Sequence, residues 1–171
     1  HIKGDSNQTN TNSDSEVGPW EEIRWIADPK WGSLYVSYTS VVTGNGVLYY
    51  QEAKTVKGIG QWFLIARDAY NGVELWRENI GGFLKYIRNP DYTYCADEKS
   101  LYYREESRQI SRDSMTGKKL MTYETKIPPE FALVNGSVLV LCSKSTLDAF
   151  DKSSGKLLWS QPISIYPAAL N

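Results

Sequence analysis

The chain has 171 residues, of which 41% are hydrophobic, enough to bury a core. Its 19 basic and 20 acidic side chains leave a formal net charge of -1, which excludes a global field that would attract nucleic acid. No run of about 18 apolar residues predicts a membrane span, and the excess of 12 Tyr and 6 Trp over 4 Phe favours strands over helices.

Residues 1–18 are predicted to form a flexible polar segment, because HIKGDSNQTNTNSDSE contains no apolar stretch. An upstream signal could have been removed, so export is an expectation. The alternative is a calcium loop, with oxygen ligands from Asp5, Asn7, Thr9 and Glu16. Asn10 stands where such a loop has glycine, so a solvated linker is the preferred interpretation.

Residues 19–171 are predicted to contain a repeat, seen in LIARDAYNGVELW, QISRDSMTGKKLM and LDAFDKSSGKLLW. Each copy has an Asp four residues before a Gly and a large apolar residue four residues after it. The three sets are Asp68, Gly72 and Trp76; Asp113, Gly117 and Met121; and Asp151, Gly155 and Trp159. The aspartates lie 45 and 38 residues apart, as in repeats that each form one small sheet.

Each repeated position has a structural reason. The Asp carboxylate can accept backbone N–H groups of the following turn, and Gly supplies the positive φ that closes it. The small residues two positions before the Asp would let a neighbouring sheet approach, and the terminal large residue would fill the space between sheets. These small residues are Ala66, Ser111 and Ala149.

A second hairpin is predicted upstream of each repeat, with turns at residues 44–46, 97–99 and 135–136. Each unit is therefore four strands, with boundaries at about 40–80, 92–125 and 131–163. The first unit has eight extra residues, predicted as a longer loop in AKTVKGIGQ, residues 53–61.

The motif of the third unit, LDAFDKSSGKLLW, resembles the A-x-D-x-x-T-G-x-x-x-W repeat of the PQQ-like, or quinoprotein-type, β-propeller family. The second unit departs from it at Ser111 and Met121. The resemblance implies an all-β propeller of four-stranded antiparallel blades. Three blades cannot close a ring, so a larger propeller is predicted, with residues 19–29 resembling an N-terminal closing strand that ends on Trp25.

The resemblance implies a non-catalytic scaffold or protein-binding module in a periplasmic, extracellular or cell-envelope protein. Its partner would be a protein or further blades from the same or another chain, with no nucleic acid and no membrane span. The alternative is part of a quinoprotein dehydrogenase or of a multidomain enzyme such as a methyltransferase fusion.

Catalysis by these residues is disfavoured but left open. The only histidine is His1, which argues against triad, haem and common zinc chemistry. No cofactor is predicted, with PQQ and calcium as alternatives, since the adjacent cysteine pair frequent in quinoprotein dehydrogenases is missing. Cys95 and Cys142 could form a disulfide if their Cα atoms lie within about 7 Å, but free buried thiols are preferred.

Two surface features complete the predictions. Tyr50 and Tyr103 are predicted to face outward and, with Trp62 and the insertion of residues 53–60, to form a contact surface on one rim; ordinary strand residues are the alternative. A basic cluster could meet an acidic partner or simply solvate a sheet edge. Its members are Arg104, Arg108, Arg112, Lys118 and Lys119.

Overall fold

The computed structural model describes residues 2–3, 41–82 and 93–163, and this part of the chain is all-β. It contains three sheets, each with four antiparallel strands that follow one another in sequence order. The predicted fold class, a partial propeller of four-stranded antiparallel blades, is confirmed. The candidate calcium residues and the closing strand at 19–29 lie outside the described residues.

The strands of the first sheet are β1 (Ile2–Lys3), β2 (Val41–Gly44), β3 (Val47–Val56), β4 (Ile59–Asp68) and β5 (Glu74–Gly82). Those of the second are β6 (Cys95–Ala96), β7 (Ser100–Glu105), β8 (Arg108–Asp113) and β9 (Lys119–Glu124). Those of the third are β10 (Phe131–Asn135), β11 (Val138–Cys142), β12 (Thr146–Asp151) and β13 (Leu157–Pro162). The short β1 pairs in parallel with β2, which gives the first sheet a fifth strand.

The predicted loop at residues 53–61 is wrong. The eight extra residues lengthen β3 and β4 to 10 residues each, joined only by Lys57 and Gly58. These two residues have φ of 51° and 80°, the conformation of a tight hairpin turn whose twist matches the strands. The pairing continues to Val56 opposite Ile59, so the insertion projects as a hairpin.

The repeated turns have the chemistry that the sequence suggests. Asp68 Oδ1 accepts hydrogen bonds from the N–H groups of Tyr70 at 2.8 Å and Asn71 at 3.1 Å. Asp113 and Asp151 do the same in their own turns. Hydrogen bonds from the Ser153 and Ser154 hydroxyls and from the Ser154 backbone lower the pKa of Asp151 to about 2. Each carboxylate thus fixes its turn through hydrogen bonds within the same hairpin.

Two hydrophobic cores lie between consecutive sheets. The first joins sheets one and two, and the second joins sheets two and three. The second is built from Cys95, Tyr102, Tyr123, Ala132, Val134, Leu139, Leu141 and Phe150, with Met121 at its edge. The described residues contain no helix long and apolar enough to cross a membrane.

Candidate functional site

One row of four residues runs across each sheet at the same register. In the first sheet the row is Val42, Tyr49, Ala66 and Trp76; in the second it is Cys95, Tyr102, Ser111 and Met121; in the third it is Leu133, Val140, Ala149 and Trp159. A β-bulge follows the small residue of the row in every sheet. The rows therefore present equivalent side chains toward the next sheet.

The first row docks on the turn of the second sheet through Trp76. The indole Nε1–H donates to the Ser114 carbonyl at 2.8 Å. Gly117 lies directly under the ring, since a Cβ built there would be 2.7 Å from Trp76 Cδ2. Burial raises the pKa of Tyr49 in the same row to about 12, so its hydroxyl stays neutral inside the interface.

The second row docks on the third sheet with two residues in place of one tryptophan. Met121 covers Gly155, where an added Cβ would lie 2.9 Å from its Sδ. The hydrogen bond comes from Tyr123, whose hydroxyl donates to the Lys152 carbonyl at 2.9 Å. Lys152 follows Asp151 as Ser114 follows Asp113, so both interfaces use the same carbonyl of the turn. Met121, the departure from the repeat motif, is thus accompanied by a donor two residues later.

An ion pair strengthens the second interface. Lys152 Nζ donates to Asp97 Oδ2 of the second sheet, and the Tyr102 hydroxyl donates to the same oxygen at 3.0 Å. Burial alone would raise the pKa of Asp97, but the hydrogen bond and charge of Lys152, with the N–H groups of Lys99 and Ser100, lower it below its usual value. The carboxylate is therefore charged at neutral pH and holds the two sheets together.

The row of the third sheet is open. Leu133 is 46% exposed, whereas its equivalents Val42 and Cys95 are 4% and 1% exposed. Trp159 is 47% exposed, while Trp76 and Met121 are partly buried. We call the row Leu133, Val140, Ala149 and Trp159 the open face. The opposite side of this sheet is buried in the second core, so the sheet is apolar on both sides and covered on one.

Sequence reasoning missed the structural role of the two arginines that precede the turn aspartates, although it placed Arg112 in the basic cluster. Arg67 donates through Nη1 to the Gly72 carbonyl at 2.7 Å and through Nε to the Tyr50 hydroxyl at 2.8 Å. Arg112 makes the corresponding bonds to Gly117 at 2.7 Å and Tyr103 at 3.0 Å, and it also donates to Glu78 of the first sheet at 2.9 Å. The signal in the sequence was the Arg-Asp pair, which recurs at Arg67-Asp68 and Arg112-Asp113.

The prediction that Tyr50 and Tyr103 face outward is wrong. They are 6% and 1% exposed; Tyr103 lies in the first core, and both hydroxyls accept these arginine bonds. Trp62 is partly buried beside the first core. They do not form the predicted rim surface.

The basic cluster does not act as one surface. Arg112 is used as described above, and Arg104 donates to the Pro129 carbonyl at 2.9 Å. Lys118 and Lys119 are exposed. Cys95 and Cys142 are free thiols, with Cys95 buried and Cys142 partly buried.

Residues 41–82 and 93–163 hold no group of three or more His, Cys, Asp or Glu placed to bind a metal, and their two cysteines lie on different sheets.

No family model matches the sequence, and no curated protein does. Among similar solved structures are a europium-containing methanol dehydrogenase, with 12% identity and a TM-score of 0.49, covering 74% of this chain and 26% of that one. Another is BamB from Moraxella catarrhalis, with 15% identity and a TM-score of 0.45; the match covers 74% of this chain and 50% of BamB. A third is the β-propeller domain of the trilobed protease from Pyrococcus furiosus, with 11% identity and a TM-score of 0.48; the match covers 77% of this chain and 45% of that domain's chain.

The chain spans between 26% and 50% of the length of these three structures. Their sequence identities to this chain lie between 11% and 15%. The fold assignment therefore rests on the sheets and interfaces described above.

Proposed function

We propose that residues 41–163 act as a non-catalytic, protein-binding assembly module. The observation that supports it is the open face. Leu133 and Trp159, at the two ends of the row, are 46% and 47% exposed, while the equivalent residues of the first two sheets are buried or partly buried, and exposed apolar patches mark interaction surfaces. A tryptophan held on a rigid sheet is a typical anchor of protein interfaces, because it buries much apolar area at little entropic cost.

Substitution at the open face tests the proposal. Leu133→Asp places a charge at one end of the row, on the edge strand β10, and because Leu133 is 46% exposed the fold should survive, as circular dichroism would show. Native mass spectrometry of the protein purified from its own cells should show the unaltered protein in an assembly and the variant released from it.

Ile59→Asp is the matched control, because Ile59 is 63% exposed at the tip of the β3–β4 hairpin, away from the open face. It should leave the assembly intact. An assembly that survives Leu133→Asp unchanged, or that is lost equally with Ile59→Asp, contradicts the proposal.

The proposal places the module in an exported or envelope-associated protein without a cofactor. The support is the resemblance of the three repeats to the PQQ-like family. Protease digestion of the protein in intact cells, compared with lysed cells, tests the location. Quinone absorbance in the native protein, or calcium-dependent dye reduction, would favour the enzyme alternative instead.

A further inference from the structure

We propose that Asn135 is a modification site, at which the folded protein is converted without an enzyme to isoaspartate and aspartate. This reaction is independent of the proposed function. The sequence contains the pair Asn-Gly three times, at residues 45–46, 71–72 and 135–136. In such a pair the glycine nitrogen can attack the asparagine side chain, because glycine has no Cβ to hinder it. The contacts around each pair decide which asparagine reacts.

The reaction needs only water as a co-reactant. The Gly136 amide nitrogen loses its proton and attacks Asn135 Cγ, so that a new C–N bond forms. The bond from Cγ to Nδ2 breaks, and ammonia leaves with the proton. Water then opens the cyclic imide at either of its two carbonyls. One product is aspartate, and the other is isoaspartate, in which the backbone runs through Cγ and is longer by a methylene group.

The pair Asn135-Gly136 is open to this attack. It lies where β10 and β11 are joined by Gly136 and Ser137, and all three residues are exposed. Among the described residues, neither the Asn135 side chain nor the Gly136 N–H has a hydrogen-bond partner. A Cβ built on Gly136 would meet nothing within 4 Å, so the approach to the reacting atoms is unobstructed.

The pair Asn45-Gly46 is held by a contact with the second sheet. Asn45 Nδ2 donates to the Glu98 carbonyl at 2.9 Å, which fixes the side chain that would be attacked. Tyr70 lies over Gly46, since a Cβ built there would be 2.9 Å from Tyr70 Cε2. One hydrogen bond must therefore break before the Gly46 nitrogen can reach Asn45 Cγ.

The pair Asn71-Gly72 is held by two hydrogen bonds of its own turn. Asn71 Oδ1 accepts the Val73 N–H at 2.8 Å. The Gly72 N–H, whose nitrogen would be the attacking atom, donates to the Asp68 carbonyl at 2.9 Å. Both bonds oppose the reaction, so this asparagine should be the best protected of the three.

Conversion of Asn135 also bears on the contact between the second and third sheets. The Gly136 carbonyl accepts a hydrogen bond from Lys152 Nζ at 2.6 Å, and the same ammonium group pairs with Asp97. Isoaspartate lengthens the backbone just before this carbonyl, so the carbonyl must shift relative to Lys152 Nζ. The modified turn should therefore loosen the contact of Lys152.

Ageing of the native protein near neutral pH tests the assignment. Peptide mapping by mass spectrometry, with fragmentation that distinguishes isoaspartate from aspartate, gives the rate of conversion at each asparagine. Dividing each rate by its value in urea removes the effect of neighbouring residues in the sequence. Each hydrogen bond that must break should slow the reaction about fivefold, so Asn45 should react about fivefold and Asn71 about twenty-five-fold more slowly than Asn135.

Gly136→Ala is the matched variant, because its Cβ has room in the fold but hinders the attacking nitrogen. It should suppress conversion of Asn135 and leave the rates at Asn45 and Asn71 unchanged. Equal normalised rates at the three asparagines, or a faster reaction at Asn45 or Asn71, would overturn the assignment. So would conversion of Asn135 at an unchanged rate in the variant.

Hydrogen exchange tests the effect on Lys152. Ageing should speed exchange in the peptide of residues 151–155 of the unaltered protein, and it should leave exchange in the Gly136→Ala protein as it was before ageing. Unchanged exchange in an unaltered protein that has converted at Asn135 would overturn the effect on Lys152.

Discussion

Asp97 and Lys152 form the charged contact between the second and third sheets, with side chains 15% and 22% exposed. Since the folded state lowers the pKa of Asp97, its charge adds stability above the ordinary aspartate pKa, about 3.9. That contribution is lost as the pH falls from this value through the lower folded pKa. Lys152 also donates to the Gly136 carbonyl at 2.6 Å, so the lysine stays in place when the carboxylate is protonated.

Asp97→Asn therefore should lower the free energy of unfolding by an amount that is constant near neutral pH and shrinks below about pH 4. Urea unfolding of both proteins from pH 7 to about pH 2 measures the difference. Glu98→Gln, which changes the adjacent exposed carboxylate, is the control and should show no such pH-dependent gap. A gap that stays constant at the lowest pH would show that Asp97 does not stabilise the fold through its charge.

At the scale of the element, two turn glycines can be compared, one that serves only its own hairpin and one that also lies in an interface between sheets. Gly58 and Gly117 have φ of 80° and 69°, so alanine is strained at both. An added Cβ meets nothing within 4 Å at Gly58, but at Gly117 it lies 2.7 Å from Trp76. The first turn lies at the tip of the β3–β4 hairpin and the second lies under the indole.

Gly58→Ala should lower the free energy of unfolding by about 1 kcal/mol, because alanine is strained in the left-handed conformation. Gly117→Ala should lower the free energy of unfolding by about 2 kcal/mol more than Gly58→Ala, because Trp76 must move out of the interface. Chemical unfolding gives both values. Equal losses would show that the turn glycine serves only its own hairpin.

The turns were the most predictable elements, because an aspartate and a glycine four residues apart fix a hairpin through local bonds. The hairpin of residues 53–61 was not predictable from composition. Gly58 and Gly60 both suggest a loop, yet only Lys57 and Gly58 turn and the remaining residues pair. The β-branched residues Thr55 and Val56 were the available strand signal.

Burial of Tyr50 and Tyr103 depends on neighbours that a single strand does not reveal. Alternation assigns one tyrosine of each pair to the outside only if one side of the sheet faces water. The second sheet lies between the other two, so both of its sides are covered and Tyr103 is buried in the first core. For the same reason the open face could be recognised only by comparing equivalent rows of three sheets, since Leu133 and Trp159 look like core residues in the sequence.

The whole described part is a series of sheets, in which the second contacts both of the others through separate cores. Stability in such a series is approximately the sum of each sheet and its interfaces, so one interface can open while the other stays closed. The two donors, Trp76 and Tyr123, act on different interfaces and can be removed one at a time.

Trp76→Phe removes the hydrogen bond to Ser114 and keeps a ring over Gly117; Tyr123→Phe removes the bond to Lys152. Loss of either hydrogen bond should lower the free energy of opening its interface by about 1 kcal/mol, which corresponds to about fivefold more frequent local opening. Hydrogen exchange followed by mass spectrometry should show the first variant exchanging faster in the peptide of residues 113–117 and unchanged in that of 151–155, with the reverse for the second. Equal acceleration of exchange in both peptides by either variant would instead mean that the three sheets open as one cooperative unit. A partner bound at the open face would then stabilise all three sheets together.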